Sequence, residues 1–282
     1  MPTKTHYFIL FIALFLATSC SDDDNTTVDT TENSSIYGNY FPTFLDSYWN
    51  YTVEAQSSIT TDPIISTDEL TVESINNNNF TLTANDGLPA NGTMSGILVS
   101  GTLTSSNTTL SLNGTLELPA GITDLIDFDI ALNSAILYDI NASNNTNLFS
   151  VSEQVTQDIQ GFPVTINYDV NTKSLGFYNS VTVNDETYTN VVATEIVLSL
   201  GAATSIDFGG IPINVAILAP QDLFVVTSYY AENVGLIKAE SYFNYEINAT
   251  AIAALANSGI DLGIPATGSS NNIQELIGFG LQ

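Results

Sequence analysis

Beyond residue 47 the chain is a succession of short runs rich in Thr, Val, Ile, Tyr and Phe, punctuated about every ten residues by Asn, Gly, Asp, Pro or Ser. Such side chains fit a pleated, half-buried surface. Strands are expected over 48–54, 70–74, 80–83, 96–104, 108–118, 127–138, 149–159, 164–170, 180–183, 190–200, 211–218, 223–230 and 236–247. No helix of ordinary length is evident, and the one short candidate is Ala249–Asn257 (ATAIAALAN), stopped by Gly259. Alternation is clearest near the C-terminus. Ile237, Ala239, Ser241, Phe243, Tyr245 and Ile247 share one face, while Lys238, Glu240, Asn244 and Glu246 take the other. A long strand with one wet face marks an antiparallel sheet.

The stretch 108–118 (TTLSLNGTLEL) carries a turn signal at Asn113-Gly114. A two-residue turn would pair Leu112 with Thr115 and Leu110 with Glu117, setting the leucines of the two arms on opposite faces. A three-residue loop with Gly114 in a left-handed bulge pairs Leu110 with Leu116. The bulged hairpin is therefore expected, unless the ribbon is buried on both faces.

The first 36 residues read differently. Lys4 and His6 precede an apolar run of eleven, YFILFIALFLA, which at 1.5 Å per residue is too short to cross a hydrocarbon core about 30 Å thick. Residues 1–19 are a signal peptide in this reading. The run ends in Leu16-Ala17-Thr18-Ser19-Cys20, which resembles a bacterial lipobox with Ala17 where Leu is commonest. The resemblance implies that Cys20, the sole cysteine, carries the lipid, palmitate included, and anchors the chain in the outer membrane. Ser21, Asp22, Asp23 and Asp24 follow and resemble the acidic export tag of cell-surface lipoproteins of Bacteroidota. Residues 20–36 hold five acids and no aromatic residue, a composition for a flexible, self-repelling tether.

From Tyr37 about 246 residues remain, enough for one large β domain or two small ones. Three stretches resemble secreted lipoprotein domains of Bacteroidota, whose function is mostly unknown. They are the opener from Tyr40-Phe41-Pro42 through Trp49-Asn50-Tyr51, the stretch from Asn184 to Val192, and Tyr229-Tyr230-Ala231-Glu232-Asn233-Val234-Gly235-Leu236-Ile237-Lys238. The sequence departs in having Asp46-Ser47 for Gly-Asn and Asn233 for a glycine. Asn tolerates a left-handed conformation, which keeps that turn feasible. The resemblance implies a mainly β domain over 37–282, a large curved antiparallel sheet, open or half-barrel, like that of lipoprotein carriers. Residues 85–180 carry none of these motifs and are a candidate insertion.

The charge balance excludes much chemistry. The chain has 30 acidic residues, three lysines, one histidine and no arginine, for a net charge of −27. Cleavage before Cys20 removes Lys4 and His6, leaving 2 − 30 = −28. Without imidazole or a free thiol there is no Ser-His-Asp or Cys-His arrangement and no ordinary zinc site, and without Arg no bidentate phosphate clamp. Nucleic acid would be repelled. No cofactor is expected.

Of the remaining candidates, the sole tryptophan, Trp49, could stack on a sugar, but its place in an alternating strand start argues for core packing. Tyr229 and Tyr230 cannot both face inward. Asp124, Asp127 and Asp129 form the densest acidic cluster of the domain, and Asp127 and Asp129 share one strand face where calcium could bind, although EF-hand spacing is lacking. Lys173 and Lys238 could form a Schiff base, but surface roles are commoner. The leading functional expectation is a non-catalytic binding or structural module on a surface lipoprotein, with a glycan or protein partner undefined. A glycan hydrolase running on two carboxylates and a periplasmic lipid or lipoprotein carrier with an apolar cavity are the alternatives. With so few cations to pair its acids, the domain should repel itself at low salt. Its melting temperature is predicted to rise as NaCl is added, and a flat or falling trend in a calorimetric salt series would contradict this.

Overall fold

The computed structural model describes residues 39–58, 62–118, 122, 128–207, 210–257, 259 and 263–282. The signal segment, Cys20, Ser21, Asp22, Asp23, Asp24 and the tether lie outside the described residues, as do Asp124 and Asp127. Twelve strands form a single antiparallel sheet: β1 (Tyr48–Ser57), β2 (Ile64–Asn76), β3 (Asn79–Ala84), β4 (Thr102–Ser105), β5 (Thr109–Leu116), β6 (Ile130–Asp139), β7 (Asn147–Ile159), β8 (Phe162–Val183), β9 (Glu186–Asp207), β10 (Pro212–Ala231), β11 (Gly235–Glu246) and β12 (Thr267–Gly280). Two short helices, α1 (Thr93–Val99) and α2 (Ala249–Asn257), complete it.

Every strand pairs with its neighbours in sequence except across one seam. The order runs β6-β5-β4-β3-β2-β1-β12-β11-β10-β9-β8-β7, so the β1–β12 ladder joins two halves of an up-and-down meander. Among the described residues no ladder joins the end strands β6 and β7; instead Thr172 of β8 donates its hydroxyl to Ile136 O of β6 at 2.6 Å. The curved sheet is thereby nearly closed into a barrel. Its inner face is set by the alternation that the sequence shows: all six residues from Ile237 to Ile247 named above are buried, while Lys238 and Glu240 pair on the outer face.

One end of the interior is filled by rings. Phe41 packs on Trp49 and Phe80 at centroid distances of 5.0 and 5.7 Å, and Tyr138 lies 4.9 Å from Tyr230. Trp49 is fully buried, its indole N–H donating to Val234 O at 2.6 Å, and Tyr51 donates to Leu236 O. This anchors the β10–β11 turn, where Asn233 is left-handed (φ 58°) and Gly235 has φ 111° against the indole. Burial pushes the Tyr51, Tyr138 and Tyr230 hydroxyls above the ordinary tyrosine range, so these groups are neutral packing elements. Tyr229 sits on the other face, half-buried against Tyr178 at 6.1 Å.

Several expectations need correction. Asn113-Gly114 is no hairpin turn: β5 continues through it, paired with β4 on one side and β6 on the other, with a register shift against β6 between Leu112 and Gly114. Glycine is required there by close approach, since a Cβ on Gly114 would overlap the Ser100 hydroxyl at the end of α1, and one on Gly101 would overlap the Asn113 carbonyl. The expected strand over 96–104 splits into the end of α1 and β4. Two expected pairs merge, 164–170 with 180–183 into β8 and 211–218 with 223–230 into β10, which absorbs Pro220 through register shifts. β12 was not expected. Residues 85–180 contain α1 and contribute β4 to β7 and most of β8 to the same sheet.

The glycines give a direct test. Gly101→Ala should lower stability by about 1–3 kcal/mol, a fall in Tm of roughly 2–12 °C, because backbone must move. Gly96→Ala, in α1 with open space around its Cα, should gain about 0.5–1 kcal/mol. Urea titrations that show the same sign for both would contradict the close-approach account.

Candidate functional site

At the end of the barrel opposite the ring cluster, α1 lies inside the sheet and frames a cavity of about 570 Å³. Helix α1 has little local reason to exist. It is seven residues long, contains Gly96, and its N-cap Gly92 makes no side-chain cap bond. Its N-terminal donors are instead satisfied by side chains from the sheet. The buried Asp68 carboxylate of β2 accepts from Gly92 N at 2.7 Å, from Asn91 N at 2.8 Å, from Asn91 Nδ2 at 2.9 Å and from Asn85 Nδ2 at 2.9 Å. From β12, Asn272 Oδ1 accepts from Thr93 N, while fully buried Gln274 accepts from Ser95 N and donates to Ser95 Oγ at 2.8 Å. Ser241 of β11 donates to Thr93 Oγ1. A buried carboxylate is tolerable only with this many donors, and its position by the first turn of α1 is electrostatically favourable.

The apolar part of the lining holds the buried Ile97, Phe224 and Phe243, the half-buried Ala55 and Leu118, and the exposed Ile64. Its rim is polar, built from Gln56, Asn91, Thr93, Ser270, Asn271 and Asn272 together with the exposed Glu117. Among the described residues Glu117 is the single ionisable group on the lining. A volume near 570 Å³ falls in the range of small-molecule sites. Chemically the site can take an apolar group and hydrogen-bond an uncharged polar end, and Glu117 together with the net charge disfavours an anion.

The residues singled out from sequence lie elsewhere. Trp49 is in the core at the opposite end. Asp129 is exposed immediately before β6, and no group of three or more His, Cys, Asp or Glu side chains able to hold a metal occurs among the described residues. Lys173 pairs with Glu195 at 3.2 Å. Lys238 lies between Glu240 at 3.0 Å and Glu275 at 3.1 Å. Desolvation pulls its ammonium down, but hydrogen bonds and charge from the two carboxylates outweigh this and hold the pKa above the ordinary lysine value, opposite to what an amine nucleophile needs. A shallower groove of about 220 Å³ on the outer face of β8 to β10 holds Asp169, which is engaged by Ser152, while Asp222 on β10 accepts from Ser199. The residues that hold α1 beside the cavity, Asp68 and Gln274 above all, went unnoticed because a lone Asp and a lone Gln in strand context carry no motif.

Neither a scan against protein-family models nor a search of curated proteins finds a match to this chain. Asp68→Asn should cost about 2–4 kcal/mol, since an amide at this position must turn its NH2 toward the Gly92 or Asn91 donors and leave one unpaired. Denaturant unfolding together with exchange of the α1 amides checks this. A neutral effect would show that α1 does not depend on the carboxylate.

Proposed function

We propose that this chain is an outer-membrane-anchored, surface-exposed lipoprotein whose β domain is a non-catalytic binding module, with the cavity beside α1 as its site. The observation that carries the reading is the cavity itself, a preformed hollow of about 570 Å³ with an apolar wall and a polar rim that bears a single carboxylate among the described residues. The anchor rests on the lipobox-like 16–20 stretch and on the acidic run Asp22-Asp23-Asp24. The ligand class that fits is neutral and part apolar. Hydrolysis of a glycan by two carboxylates has less support, because Glu117 faces no second described carboxylate on the lining. The apolar wall formed by Ile97, Phe224 and Phe243 favours, as a second reading, a carrier for a lipid or the acyl end of a lipoprotein.

Both parts can be tested. Cys20→Ser should abolish incorporation of radiolabelled palmitate, and persistent labelling refutes the anchor. For the cavity, Gly96→Leu places a side chain in open space on the lining. The neutral dye N-phenyl-1-naphthylamine should brighten on binding the parent protein, and its affinity should fall by about tenfold or more in the variant, since the leucine side chain takes up space beside the apolar wall that the dye needs. Undiminished binding by a folded Gly96→Leu variant would overturn the assignment of the site.

A further inference from the structure

Strand β7 is the one long strand that contributes no buried residue and pairs on one side only. Its ladder to β8 runs from Asn147 opposite Lys173 to Ile159 opposite Phe162, and among the described residues no strand pairs with its other edge. At the seam β6 lies near β7 without forming a ladder with it, and its hydrogen bond runs to Thr172 of β8. Between Ser150 and Thr156 the strand therefore presents a row of backbone donors and acceptors without a ladder partner, the usual template for an added strand.

We propose that this edge receives an extended, cationic peptide segment of a partner protein by strand addition. Backbone pairing would supply the affinity, and the half-buried side chains of Phe149, Val151 and Val155, which pack against the core, offer apolar contacts at alternate positions. Charge selects the partner. Glu153 lies exposed on the same face as these apolar residues, opposite Tyr168, and Asp158 and Asp169 flank it along the hairpin. The nearest cation on β8, Lys173, is already paired with Glu195. A second copy is a poor occupant: antiparallel self-pairing centred on Glu153 sets two Glu153 carboxylates directly opposite each other, and in any register the two molecules each carry a charge of −27. The same carboxylate that guards the edge against self-association favours Lys or Arg on an incoming strand.

The test uses the full chain and a fluorescent peptide of alternating lysine and valine, with a glutamate and valine peptide as control. The cationic peptide should bind, weaken as salt is raised, and protect amides of residues 150–156 from exchange. Glu153→Lys, a change at an exposed side chain, should weaken it by about tenfold or more, because an attraction becomes a repulsion. Gly96→Leu should leave peptide binding unchanged, which separates this proposal from the cavity reading. No binding, a footprint away from β7, equal binding by Glu153→Lys, or β7 protected in a homodimer without peptide would each overturn it.

Discussion

The structure depends on the pairing of β1 with β12. All other ladders join strands adjacent in sequence, which local turns can bring together; this one joins residues more than two hundred positions apart, such as Trp49 with Phe279 and Val53 with Gln274. Without it the meander is two separate curved sheets with no common interior. With it, the rings gathered around Trp49 close one end, and the polar side chains of β12 reach α1 at the other. Closing so long a loop has a large entropic cost, offset only when the interior it creates is filled. The fully buried Trp49, Tyr51 and Leu276 on these two strands are that filling.

The same ladder explains why a short, weakly helical segment is helical. Asp68 is on β2 and Gln274 on β12, the two neighbours of β1, so the groups that hold α1 converge only after the closing ladder forms. The cavity is thus a product of long-range topology. Its chemistry matches that of the chain as a whole: few cations, many uncharged Asn, Ser and Thr side chains, and apolar surface turned inward.

What the sequence reveals follows from where each side chain bonds. β11 is legible because its inner face is almost uniformly apolar and its outer face polar, and α2 because ATAIAALAN ends at a glycine. β12 is hidden because its inner face holds Gln274, bonded to α1, and its first half is Thr, Gly, Ser and Asn. Helix α1 is hidden because its caps come from distant strands. Asn113-Gly114 misleads because the glycine answers to Ser100 packing on it rather than to a turn. Of the site, only the scarcity of charge was legible; that a single carboxylate would lie on the cavity lining followed from the fold.

The most direct measurement of the central claim is amide hydrogen exchange resolved strand by strand. If the β1–β12 ladder is the joint on which the interior depends, amides of β1 and β12 should open only with global unfolding, at the same free energy, and β7 should exchange far sooner. Exchange of β12 that is as fast as that of β7, or independent of β1, would contradict the account.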